Sequence, residues 1–112
     1  MNKYDIEGVK KYLSLNGSIE IESHGASMFP AIKDGDKIIV SAEIDSIEEN
    51  DIIVFFDSSS SGNISLIAHR VIRIVDNKFV ITKGDNNHVA DRPIRKKCII
   101  GKVISIVSED DK

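Results

Sequence analysis

The chain has little cysteine: Cys98 stands alone among 112 residues, so no internal disulfide holds the fold and its core must do so. No apolar run approaches the ~18–20 residues that a membrane span needs. The first residues, MNKYDIEGVKKYL, are charged throughout and lack the apolar stretch of a secretory signal. Nor is there an excess of positive charge. Fifteen Lys and Arg against 18 Asp and Glu leave a net charge of −3. That gives no cationic face for phosphate, so no nucleic-acid partner is expected. Internal repeats and long linkers are missing too, and Asp57–Asn63 (DSSSSGN) reads as a flexible surface loop too short to divide domains.

What is present is the composition of an ordinary globular protein, 41% hydrophobic and 29% charged. The length suits one domain over residues 1–112, enough for one core and too small for two. Over residues 3–15, Ile6, Val9 and Leu13 fall at helical spacing with Tyr12 off to the side, and Asn16-Gly17 is a stop signal. After Gly17 the period becomes that of strands. Ile19 and Ile21 alternate with Glu20 and Glu22, and short runs rich in Ile, Val and Phe follow at 37–41, 51–56, 66–75, 78–82 and 98–107. Asp76-Asn77 is a hairpin signal. In the last run Cys98, Ile100, Ile104 and Ile106 share a face interrupted by Lys102, and Cys98 reads as a small buried apolar residue. The expected fold is mainly β: a compact rolled sheet or small barrel over residues 18–107, with one short N-terminal helix.

The most informative stretch is Gly25–Val40, GASMFPAIKDGDKIIV. Ser27 follows Gly25-Ala26, where little side-chain bulk blocks an approaching peptide. Pro30 fixes the backbone just past it, and Gly35-Asp36 turns into the next strand. A serine held at a rigid bend, with its own N–H free, can serve as nucleophile and oxyanion donor together. Taken alone, most serines in turns merely cap or bond the backbone. Ser27-Met28-Phe29-Pro30 followed by Gly35-Asp36, however, resembles the nucleophile box of type I signal peptidases and their relatives in the signal-peptidase/repressor-protease superfamily. Asn50-Asp51-Ile52-Ile53-Val54-Phe55, His69-Arg70-Val71, Lys83-Gly84-Asp85-Asn86-Asn87 and Asp91-Arg92 follow in that family's order, and Gly101-Lys102-Val103 resembles its last core strand. The resemblance runs from about Gly17 to Val107.

Most bacterial relatives pair serine with lysine. At the matching position this chain has His69, which resembles the endoplasmic-reticulum and archaeal branch with a histidine base. In that branch an aspartate after the KGDNN segment completes the site, and the matching residue is Asp91. The resemblance thus implies a serine endopeptidase: Ser27 attacks, His69 moves the proton, and Asp91 fixes the imidazole tautomer. An imidazole, with an unperturbed pKa near ~6.5, accepts a proton at neutral pH without the desolvation that a lysine base needs. Gly25, Ala26, Met28 and Pro30 are the expected substrate-binding positions. Asp85 is expected to shape the floor of the site, in a Gly-Asp-Asn-Asn turn suited to positive φ. Bacterial relatives often carry a serine two residues before the nucleophile as a second oxyanion donor; Gly25 stands there instead.

Each residue also has a plainer reading. His69 in LIAHRVIRIV, read alone, is an ordinary hydrogen-bonded core histidine, and Asp91 a turn cap or surface ion pair. His24 and His88 read as solvated, and no ligand spacing supports a metal site from His24, His69, His88 and Cys98. No metal and no cofactor are expected. Arg95-Lys96-Lys97 is balanced by the acidic tail Ser108–Asp111. The expected partner is a polypeptide substrate. In the family it adds as a strand and presents small residues to shallow pockets. A self-cleaving regulator and a non-catalytic peptide-binding module are the alternatives. The segment before Gly17 is short for a DNA-binding domain and holds no Ala-Gly or Cys-Gly pair. A complete chain is expected in the cytoplasm, trimming leader segments of precursor peptides. A piece of an anchored signal peptidase is expected at an extracytoplasmic membrane surface. Nothing in the pattern speaks to oligomeric state.

Overall fold

The computed structural model describes residues 6–58 and 64–108. Helix α1 (Ile6–Asn16) turns Val9 and Leu13, four residues apart, onto the core and leaves Tyr12 half exposed. Gly17 ends it at φ +80°, donating its N–H to the Leu13 carbonyl at 2.7 Å, as a left-handed C-cap requires. The expected helix start at residue 3 lies outside the described residues. So do most of the Asp57–Asn63 loop and the acidic tail past Ser108.

The strands are β1 (Ser18–Glu22), β2 (Lys37–Ser41), β3 (Ile52–Ser58), β4 (Ile64–Val75), β5 (Phe79–Lys83), β6 (Ile94–Arg95) and β7 (Ile99–Val107). They form one sheet in the order β1-β2-β7-β3-β4-β5-β6, and every pairing is antiparallel. The mainly β class expected from the sequence is what is observed. Asp76 and Asn77, at φ +51° and +58°, join β4 to β5 with the left-handed pair that suits a tight hairpin.

The sheet is covered on both faces. Ile52 and Val54 join Val9, Leu13, Ile21, Met28, Ile32, Ile38 and Val40 in one cluster. Ile53 and Phe55 point the other way, into a cluster with Val71, Val80, Ile94 and Ile99. This is why β3 reads as an unbroken apolar run, and burying each such side chain contributes about 1.5–3 kcal/mol.

Strand β7 departs from the sequence pattern. Against β3 its partners jump from Gly101 to Ile99, and against β2 from Ser105 to Val103, so Ile100 and Ile104 sit at bulges. Each bulge shifts the alternation by one. Ile100 is buried, but Ile104 and Ile106 are exposed and do not continue a single buried face. Cys98 lies before β7, in a 3₁₀ turn (Lys96–Cys98), and is half-buried. The turn carries it out of the strand alternation that placed it inside.

Candidate active site

Ser27 lies in the loop between β1 and β2, and that loop is fixed at its neck. Ser23 N–H bonds the Asp36 carbonyl at 2.7 Å, and Gly35 N–H returns to the Ser23 carbonyl at 2.9 Å. Gly25, at φ +92°, aims its N–H at Asp34 Oδ1, 2.7 Å away. The Asp36 carboxylate, buried, accepts the Lys33 N–H at 2.8 Å. Met28 and Ile32 are buried in the first core cluster, so the residue next to Ser27 is anchored in packed structure. The Phe29–Pro30 bond is cis.

A second segment grips the same loop from the other side. Asn86 donates its backbone N–H to the Ser27 carbonyl at 2.8 Å and its side-chain amide to the Ala26 carbonyl at 3.0 Å. The Asp85 N–H points at the Met28 sulfur, 3.3 Å away. Lys83 closes this turn, its Nζ donating to the carbonyls of Gly84 and Asn87 at 3.1 and 2.7 Å. No residue of the turn has positive φ, contrary to the expectation from its sequence. Gly84 is needed for space instead: a Cβ there would stand 2.7 Å from the Ser27 carbonyl oxygen.

His69, on β4 and 6% exposed, presents Nε2 to Ser27 Oγ at 3.1 Å. Its Nδ1 lies 2.6 Å from Asp91 Oδ2. Phe55 packs edge-on against the ring, centroids 6.1 Å apart. Asp91 is positioned by Thr82. Its N–H bonds the Thr82 carbonyl at 2.8 Å, and the Thr82 hydroxyl donates to Oδ2 at 2.7 Å. An ionised carboxylate only accepts, so this network assigns the proton to Nδ1 and leaves the Nε2 lone pair facing Ser27.

Asp85 pairs with Arg70. Arg70 donates through Nε and Nη2 to its two oxygens, each at 2.8 Å, and through Nη1 to the Asn50 carbonyl at 2.8 Å. The fork holds the Asp85 carboxyl below its usual range and pushes the Arg70 guanidinium up. A cavity of about 270 Å³ opens beside Ser27 and His69, lined by the end of β1, the first half of β4 and the core side chains Met28, Ile32, Ile38 and Val54. Gly25 and Met28 line it, whereas Ala26 and Pro30 lie outside its lining.

The sequence profile of the peptidase S24-like family matches residues 9–104. The chain belongs to the peptidase S24-like family. A comparison with curated proteins gives no match. Membership supports a serine peptidase or a repressor-protease-type function, in a family that also contains non-catalytic members.

In this peptidase S24-like chain, the structure brings Ser27, His69 and Asp91 together. Thr82, Gly84 and Asn86 were not singled out. The KGDNN motif was the one available signal for Gly84 and Asn86, and Thr82 carried none. His24 meets Glu22 at 3.5 Å on the surface, and His88 is exposed. Among the described residues no group of three or more His, Cys, Asp or Glu could hold a metal ion. No helix among them is long and apolar enough to cross a membrane.

Proposed function

We propose that the chain is a serine endopeptidase in which Ser27 is the nucleophile, His69 its general base and Asp91 the group that orients the imidazole. The observation that carries this reading is the unbroken run of hydrogen bonds from Ser27 Oγ through both nitrogens of His69 to Asp91, at 3.1 and 2.6 Å. His69 Nε2 takes the hydroxyl proton as Oγ adds to the scissile carbonyl. It then gives that proton to the departing amine, and the same base activates the water that clears the acyl-enzyme. The Ser27 N–H has no acceptor among the described residues, which suits it to hold the developing oxyanion. A histidine in place of lysine resembles the endoplasmic-reticulum and archaeal branch of signal peptidases.

Two open strand edges favour a polypeptide substrate. Among the described residues β1 pairs only with β2, and β4 meets β5 only from Arg70 onward, so residues 64–69 pair only with β3. The cavity lies between these edges, where an extended segment can add main-chain hydrogen bonds to either. Leader-segment processing is the use that such a groove fits.

Labelling tests the reading. The protein is incubated with a serine-acylating peptidyl probe across pH 5 to 9, and adducts are read by intact mass. An adduct on the parent, lost in Ser27→Ala and His69→Ala, is the expected result. No adduct at any pH would leave a binding module. A self-cleaving regulator instead requires truncation of the purified chain on long incubation at alkaline pH, and intact protein excludes it.

A further inference from the structure

A second cavity, of about 390 Å³, lies between the β3–β4 hairpin and the stretch from Asp91 to Cys98. It is separate from the groove beside Ser27: of the residues that line the two, only Ile67 is common. We infer that this second cavity binds a short apolar peptide with free ends, of dipeptide size, held through its ammonium and its carboxylate. The inference does not depend on Ser27 as nucleophile.

The cavity has an apolar floor. Phe55 and Ile94 are buried members of the second core cluster, and Ile67 and Cys98 pack partly buried against it. An apolar cavity of about 150 Å³ holds a benzene ring, so about 390 Å³ has room for two apolar side chains. Its rim is charged, with both signs present. Asp57, Arg92 and Arg95 line the cavity and are exposed. None of their side chains has an ion-pair or hydrogen-bond partner among the described residues. The fourth charged residue of the lining, Asp91, is already engaged. Its Oδ2 lies 2.6 Å from His69 Nδ1 and accepts the Thr82 hydroxyl at 2.7 Å.

These charges select the ligand. A plain hydrocarbon would leave all three without partners, and a purely anionic amphiphile would meet the Asp57 carboxylate. A ligand with both end groups satisfies both signs. The guanidinium forks of Arg92 and Arg95 suit a carboxylate, and the Asp57 oxygens accept from an ammonium. Water screens pairs at an exposed rim, so the floor supplies most of the affinity and the charges set the orientation. The chain also keeps this place open. Among the described residues β6 pairs only with β5. Pro93, in the lining just before β6, has no N–H to offer a further strand.

The test titrates the full chain with Leu-Leu, N-acetyl-Leu-Leu and Leu-Leu amide, following methyl resonances by NMR. Leu-Leu should shift Ile67 and Ile94, and blocking either end should weaken binding at least about fivefold. Asp57→Asn should weaken Leu-Leu by the same factor and leave N-acetyl-Leu-Leu unchanged. Arg92→Gln with Arg95→Gln should weaken Leu-Leu and leave Leu-Leu amide unchanged. Both substitutions fall on exposed side chains, and the blocked peptides make the same comparison on the parent protein. Absence of shifts at Ile67 and Ile94, equal binding of the three peptides, or substitutions that weaken all three alike would overturn the inference.

Discussion

Replacing Gly84 with alanine tests whether the Lys83–Asn87 turn sets the position of Ser27. Gly84 is buried and does not occupy the left-handed region, so the substitution acts through space alone. The new Cβ would lie 2.7 Å from Asn87 Nδ2 and 2.7 Å from the Ser27 carbonyl oxygen. The Asn87 amide can rotate away. The carbonyl cannot, because it is main chain and already accepts the Asn86 N–H at 2.8 Å. Ordinary contact begins at 3.4 Å, so turn and loop must part from 2.7 to 3.4 Å, an opening of about 0.7 Å. Misplacing reacting groups by ~1 Å costs on the order of 10²-fold. Acylation of Ser27 is therefore expected to slow by about 10- to 100-fold. Overpacking should also cost about 1–3 kcal/mol of stability, so the rate is measured well below the melting temperature, by intact mass, with circular dichroism confirming the fold. Gly101→Ala is the comparison. Its Cβ would press on the Ser41 carbonyl and Val40 Cγ1 where β7 crosses β2, away from Ser27. That variant should lose stability while its folded fraction labels near the parent rate. A Gly84→Ala protein that labels as fast as the parent refutes the reasoning.

Three further results are expected. Asp91→Asn should slow labelling by on the order of 10⁴-fold, because the amide no longer fixes the Nδ1–H tautomer; a loss below tenfold would separate Asp91 from the chemistry. Asp85→Asn should cost less than about 1 kcal/mol, since both partners of the Arg70 pair keep contact with solvent. The Asp85 carboxyl titrates below its unfolded value, so its contribution is complete above about pH 4 and fades as pH falls further. Urea denaturation should show parent and variant converging in acid, and a constant gap would contradict the ion-pair account. Ile53→Ala, at a fully buried position, should cost about 2–5 kcal/mol in the same assay; a cost under 1 kcal/mol would mean that the second cluster is loosely packed.

Much of this arrangement can be read from the residues in chain order. Val9 and Leu13 give the helix face, and the Ile- and Val-rich runs give the strands, because both depend on local periodicity. Ser27, His69 and Asp91 were legible through motifs that keep their order along the chain. Bulges were not. Ile100 and Ile104 look like members of one alternating face, and only pairing with β3 and β2 decides where the count slips. The same limit hid Thr82 and Gly84. A buried threonine in FVITK looks like any strand residue until Asp91 folds against it, and Gly84 looks like a turn glycine until the Ser27 carbonyl fills the space beside it. Asp85 could be placed in its turn, but its partner Arg70, 15 residues away, could not be chosen from among the basic residues.

The three residues of the hydrogen-bonded run lie far apart in the chain: Ser27 and His69 by 42 residues, His69 and Asp91 by 22. They arrive from a loop, a central strand and the stretch after β5, so their meeting depends on non-local pairing, the slow part of β folding. A chain emerging during synthesis has Ser27 early and His69 later. Asp91 follows last of the three, and β7, which joins the two halves of the sheet, comes after it. On the proposed peptidase reading this ordering has a protective consequence: Ser27, His69 and Asp91 meet only once the sheet is complete, so a nascent chain holds no assembled site with which to cut its own exposed segments.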